Sequence, residues 1–358
     1  MNITNRTYYP FTGARPRRQW LLLLLAPLLM MSCKKNFSSD QFIDDKLVVL
    51  AEITAGDSVK IPIGKTIKVG GGGIIRFEKV NDASVVLTEN KIYSTILQPN
   101  WSQQFAANPT TVFTNKRRFK VNTTYSIEIK HPTLGVVTGT TYIPALPKVT
   151  FIDTSYDTYA GKTMLATDIT WQDDTNIENY YIIEAVKELL TIRRYFIYKG
   201  KRYDYDTPQG STLFAQVSNT GVHLLRDTVP QNKYLRINLY TDDSKTDNTS
   251  ISSLDYPFRR IFLPDHAFQG RAYKTRVYID PQFFTATDPT QKGRIRLEIK
   301  CASKELYDYL LLYERYKTDF GYIPASQLPS PTGNIQNGLG IFGGSSKKER
   351  IFYFDILL

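Results

Sequence analysis

Gly338-Leu339-Gly340-Ile341-Phe342-Gly343 spells G-x-G-x-x-G, the spacing that brings a backbone close to a dinucleotide pyrophosphate. That chemistry needs a strand before the glycines, a helix after them and an acid about twenty residues on. Here Leu328-Pro329-Ser330-Pro331-Thr332-Gly333 precedes the motif, which is loop chemistry, and only fifteen residues follow Gly343. No crossover fits. Asn334, Asn337, Gly338, Gly340, Phe342 and Gly343 are therefore assigned a structural role, with Ile341 and Phe342 plugging a core. Gly343–Glu349 reads as a turn and Arg350–Leu358 as a terminal strand. A second candidate is Arg193–Asp206, RRYFIYKGKRYDYD, where aromatic and basic residues alternate around Lys199-Gly200-Lys201. It predicts a β-hairpin whose Tyr195, Tyr198, Tyr203 and Tyr205 can contact a ligand by stacking and cation–π interaction. A twisted, solvated hairpin is the plainer alternative.

Other chemistry is thinly represented. The three histidines, His131, His223 and His266, are not paired at metal-ligand spacing. Asp242, Asp243, Asp247 and Asn248 share a polar loop, but calcium needs six to eight converging oxygens. Asp173/Asp174 and Asp242/Asp243 are adjacent carboxylates, and adjacency does not place two groups across a cleft. The glycines at 70–73 lack the Lys-Ser/Thr and helix of a phosphate loop. No catalytic residue, cofactor or metal ligand is assigned, and a non-enzymatic protein is expected.

The N-terminus carries an address. Arg15, Arg17 and Arg18 precede the twelve-residue apolar run Trp20–Met31, followed by Ser32 and Cys33. A basic segment, a short apolar segment and a small residue describe a secretory signal peptide. Twelve residues fall short of the roughly twenty that span a bilayer, and Pro27 interrupts them. Leu29-Met30-Met31-Ser32-Cys33 resembles a bacterial lipobox, which implies Cys33 as the lipidated first mature residue. An ordinary signal peptide with an unrelated Cys33 is the alternative. Several acyl chains give stable anchoring at about 0.8 kcal/mol per buried methylene. By resemblance to Gram-negative lipoproteins, Lys34 after the cysteine favours transfer to the outer membrane. Cys301, the other of two cysteines, is then left as a buried structural thiol.

Four of the 45 basic residues (Arg6, Arg15, Arg17, Arg18) lie in residues 1–32, which hold no acid, leaving 41 against 34 acids, a net +7. The charges are interspersed rather than gathered in a nucleic-acid-binding motif, so no nucleic-acid partner is expected. Period-two alternation recurs in Ser58–Ile63, Ala83–Asn90, Thr124–His131 and Gly135–Ile143, after the apolar strand Leu47–Ile53. Further strands are predicted at Met164–Asp174, Asn179–Val186, Leu235–Tyr240, Ala272–Ile279 and Gly293–Cys301. One helix is predicted over Lys304–Tyr316, with Ser303 as N-cap and Leu306, Leu310 and Tyr313 on its inner face. The expected fold is mainly β: an Ig-like or transthyretin-like sandwich, then a larger β-rich, fibronectin-like domain with one helix near its C-terminus. The expected divisions are a signal peptide at 1–32, a lipidated tether at 33–46, the sandwich at 47–145 and the C-terminal domain at 146–358.

SKELYDYLLLYERY and LPSPTGNIQNGLGIFGG, together with LVVLAEIT, ASVVLTEN and ITWQDDTNIENYY, resemble a family of Bacteroidetes outer-membrane lipoproteins defined by a domain of unknown function. The resemblance covers essentially the whole mature chain. It implies a lipid-anchored accessory protein, binding or scaffolding beside a TonB-dependent importer, because such lipoproteins are often encoded beside these receptors. It supplies no catalytic residues. The membrane face and any small-molecule ligand are left open. A structural or adhesive envelope protein is the alternative function, and an envelope hydrolase a third.

Overall fold

Alternating apolar residues build the core of the first half. The computed structural model describes residues 45–69, 74–100, 110–172, 178–250, 258–264, 266, 270–284, 291–318 and 333–354. Cys33, the residues before it, most of the tether, Gly70–Gly73 and Asp173/Asp174 lie outside them. The first half contains β1 (Leu47–Thr54), β2 (Ser58–Val69), β3 (Ile74–Lys79), β4 (Ser84–Glu89), β5 (Tyr93–Pro99), β6 (Thr111–Arg118), β7 (Thr123–His131) and β8 (Gly135–Ile143). Leu47, Val49, Ala51 and Ile53 of β1 face one core with Ile61 and Ile63 of β2 and Ile127 and Ile129 of β7. Strands β1, β2 and β6 form one layer, and β4, β7 and β8 the other. Strand β5 joins them, pairing with β4 and then, through Gln98 and Pro99, with β6.

The second half contains β9 (Val149–Tyr159), β10 (Lys162–Gln172), β11 (Tyr180–Tyr198), β12 (Lys201–Asp204), α1 (Pro208–Val217), β13 (Leu225–Ile237), β14 (Leu239–Tyr240), β15 (Arg260–Pro264), β16 (Ala272–Ile279), β17 (Gln291–Ala302), α2 (Lys304–Thr318), β18 (Ile335–Gln336) and β19 (Leu339–Phe354). Strand β11 is its axis. It pairs with β17 along one edge and with β15 then β13 along the other. Its odd residues, Tyr181, Ile183 and Ala185, enter a core shared with the small sheet β14-β16-β10-β9, where Ile169, Trp171 and Val277 meet them. On the reverse face Ile182 packs with Phe262, Leu306 and Tyr307 under α2. Burial on both faces is why Tyr180–Val186 reads as a nearly unbroken apolar run.

The last strand serves both halves. Leu339–Ser345 of β19 runs parallel to β1, and Ser345–Phe354 pairs with β17. Ile335 and Phe342 thereby enter the first core. The described residues of 45–68 and 75–354 form one compact unit. The fold is mainly β with a large sheet, and one of its two described helices is near the C-terminus. Helix α2 begins as expected: the Ser303 hydroxyl accepts from Leu306 N–H at 3.4 Å. Its buried face differs from the expected one. Leu306, Tyr307, Leu310 and Glu314 are buried, and Tyr313 is exposed. The stripe turns because Glu314 faces a buried arginine. Among the described residues, no helix is long and apolar enough to cross a membrane.

Candidate functional site

The hairpin predicted at Arg193–Asp206 extends from the main sheet. Pairing between β11 and β17 ends at Thr191, and the next seven residues of β11 pair only with β12 and β13. At about 3.3 Å per residue this extension reaches ~23 Å. Lys199 and Gly200 turn it, at φ 49° and 74°. Left-handed conformation at both central residues suits a two-residue hairpin. Helix α1 closes on it, with Thr207 Oγ1 accepting from Gly210 N–H at 3.1 Å and Pro208 at its start. Phe196 is fully buried in a small aromatic core, stacked on Tyr203 at 5.5 Å and edge-on to Phe214 at 5.1 Å.

Strand alternation divides the four tyrosines. Tyr198, Tyr203 and Tyr205 follow the parity of Phe196, while Tyr195 lies on the opposite face. Each already has a partner within the arm. Arg202 covers Tyr195 at 3.7 Å, Lys199 lies 5.3 Å from Tyr198, Lys201 5.5 Å from Tyr203, and Arg194 4.7 Å from Tyr205. Arg194 also donates to Asp206 at 2.8 Å through Nε. The Arg194 backbone N–H, with its side chain, holds the Asp206 carboxyl below its usual range. The tyrosines are thus divided between two faces, each beside a cation of the arm. The exposed positions of the arm carry Arg193 and the half-exposed Ile197 on the Tyr195 face, Lys201 and Arg226 on the other, and Lys199 at the turn.

The base of the arm is fixed by buried charges that sequence inspection missed. Among the described residues Arg236, Arg260, Arg294, Arg296, Lys300 and Lys347 meet Glu52, Glu184, Glu188, Glu298, Glu314 and Glu349 in one connected network. Register lines Glu184, Glu298 and Glu349 directly across three strands, an arrangement that repels unless cations flank it. Lys300 and Lys347 supply them on one side and Arg296 on the other. Glu184 accepts from Arg260 at 2.5 Å, Arg236 at 3.1 Å and Lys300 at 3.2 Å. Burial alone pushes its carboxyl upward, but Lys300, Arg260 and Arg236 overcome this and hold it well below the usual range. For Lys300, burial works against the charge, and Glu184, Glu52 and Glu298 raise its affinity for the proton above normal. Six cations balance six carboxylates, so the network binds itself and ties six strands and α2 together. A lone Glu in YYIIEAV and a Lys in LEIKC were the available signals.

The glycine motif is backbone architecture. Gly340 has φ +99°, and a Cβ there would lie 2.0 Å from Val49 O. A Cβ on Gly343 would lie 2.6 Å from Leu306 Cβ, so α2 rests directly on the strand. The Asn334 side chain clamps the approach, donating to Thr140 O and Phe342 O at 2.8 Å and accepting from Phe342 N–H at 2.9 Å. Asn337 takes φ +60° in the turn before Gly338. Gly343–Glu349, expected as a turn, is instead the middle of β19. Two partner strands and a helix impose extended geometry where the glycines removed any side-chain signal.

The polar loop is likewise satisfied within the fold. Asp243 accepts from Tyr273 and Thr275 hydroxyls at 2.6 Å, and Asp247 from Tyr307 at 2.7 Å. Buried Asn248 pairs with Arg260 O and Phe262 N–H, extending the edge of β15. Among the described residues no cluster of three or more His, Cys, Asp and Glu is arranged to hold a metal ion. Cys301 is buried, 3.4 Å from Asn179 Oδ1.

A family model, described as domain of unknown function DUF4249, matches residues 35–351. The chain belongs to the DUF4249 family. The match spans both halves of the fold, the arm, the charge network and all but the last residues of β19. No curated protein matches the chain.

Proposed function

We propose that this DUF4249 chain is a lipid-anchored, non-enzymatic accessory protein of the outer membrane. It binds or scaffolds beside a TonB-dependent importer. The arm is the observation that carries this reading. A strand extension braced by an internal aromatic core, a helix cap and paired charges presents exposed basic residues on both of its faces, away from the main sheet. Preorganised surfaces of this kind lower the ordering cost of association. The signal segment, Cys33 and the family resemblance support the address. Acyl chains at Cys33 put the body within a short tether of the bilayer, where an integral partner can meet the arm.

The test is isolation of the mature protein from native outer membranes after mild solubilisation and cross-linking. A receptor barrel is expected to co-isolate by mass spectrometry, and Cys33→Ala to release the protein from the membrane fraction. Charge reversal at Arg193 and Arg226, which brace none of the four tyrosines, is expected to remove the receptor while leaving the melting temperature unchanged. A solitary wild-type monomer, or undiminished receptor recovery with the reversed arm, overturns the proposal.

A further inference from the structure

A cleft opens at one end of the first sandwich, away from the arm. It is a groove of about 450 Å³, open to solvent and lined by Glu89, Tyr93, Arg117, Arg118, Phe119 and Lys120. Its volume suits a small ligand. Strand alternation explains the aromatic side. Tyr93, Thr95 and Leu97 share one face of β5, and Leu97 is in the core, so Tyr93 stands over the core's open end. Tyr93 is 60% exposed. Directly beneath, Phe119 and Tyr125 meet edge-on at 5.1 Å and close the floor.

The basic side depends on an irregularity. Strand β6 ends in Lys116-Arg117-Arg118, and strict alternation would send the two arginines to opposite faces. The pairing with β2 instead jumps from Val59↔Asn115 to Ser58↔Arg118. This bulge turns both arginines to the cleft, as bulges do beside binding sites. It is held in place: Asn115 Oδ1 accepts the Arg117 N–H at 3.0 Å, and Arg118 donates to Gly56 O at 2.6 Å. One lining carboxylate, Glu89, faces three lining cations, and Lys120 occupies it at 2.6 Å. Unlike the neutral network around Glu184, this cluster retains an excess of two positive charges. Convergent cations beside an exposed ring and the polar side chains of Thr95 and Asn115 match a ligand with an anionic group on a hydroxylated ring.

We propose that this cleft binds an anionic saccharide, a sugar bearing carboxylate or phosphate. Arg117 and Arg118 take the anion, and Tyr93 stacks on the ring. Free oligosaccharide and glycolipid headgroup share this chemistry. The experiment is calorimetric titration of the mature protein with trigalacturonate, with a neutral trisaccharide and with inorganic phosphate, alongside vesicle flotation with phosphorylated glycolipid. Binding of trigalacturonate or of the glycolipid vesicles is expected, weakening as salt rises, with the neutral sugar at least tenfold weaker. Arg117→Gln and Tyr93→Ala, both exposed, are each expected to weaken binding about tenfold with unchanged melting temperature. Failure of both anionic sugars to bind overturns the proposal. Equal binding of the neutral trisaccharide removes the anion's role, and phosphate binding as tightly as the sugars removes the ring's.

Discussion

Glu184→Gln is the most informative single change in this molecule. Glu184 is 1% exposed and contacts three cations, two of them buried. The amide preserves the shape, removes the charge and turns a donor toward one cation. Breaking a buried ion pair costs about 3–5 kcal/mol because the surviving charge is left uncompensated. Here Arg260 keeps Glu314 at 2.7 Å, Lys300 keeps Glu52 at 2.7 Å, and Arg236, 36% exposed, returns to water. The lower end is therefore expected, ~3 kcal/mol, or a melting temperature lower by about 6–12 °C. Urea unfolding at neutral pH measures the first quantity and a thermal scan the second. The effect has a pH signature. The Glu184 carboxyl is held below its unfolded value, so its contribution is present above about pH 4.3. That contribution is lost as pH falls toward the folded value. The wild-type protein should lose stability more steeply with acid than the variant does. A loss at neutral pH smaller than about 1 kcal/mol, or identical acid slopes, would refute the argument that this network fixes the sheet.

Two further outcomes test the strand–helix seam. Gly343→Ala places a methyl 2.6 Å from Leu306 Cβ and is expected to destabilise by about 1–3 kcal/mol, measured by urea unfolding. If the variant is as stable as the parent, α2 does not rest on β19 as described. Tyr307→Phe removes the 2.7 Å hydrogen bond to Asp247 and leaves the ring in place. A loss of about 1–3 kcal/mol is expected, with faster amide exchange in the 247–250 turn. Unchanged exchange would show that Tyr307 does not tie that turn to the helix.

Local sequence chemistry determined much of this protein. Period two marked β2, β4, β7 and β8, and Gly135–Ile143 and Ala272–Ile279 coincide with β8 and β16 to the residue. Ser303 and Glu305 marked the start of α2, and Lys199-Gly200 marked the hairpin turn, because caps and tight turns are decided by a few neighbouring residues. Thr207-Pro208 carries an equally local signal for α1, as an N-cap followed by proline at the first helical position. Cys33 and the segment before it are properties of the chain itself, legible without any fold.

Only the tertiary structure decided what lies far apart in sequence. The partners of Glu184 are 52, 76 and 116 residues away, and no local pattern predicts their meeting. The parallel pairing of β1 with β19 unites the two ends of the described chain and turns a nucleotide-like glycine motif into a strand beneath a helix. The bulge at Lys116–Arg117 exists because β2 and β6 pair out of step, and it alone brings two adjacent arginines to one cleft. Side-chain type states which interactions are possible. Register between distant strands determines which of them are made.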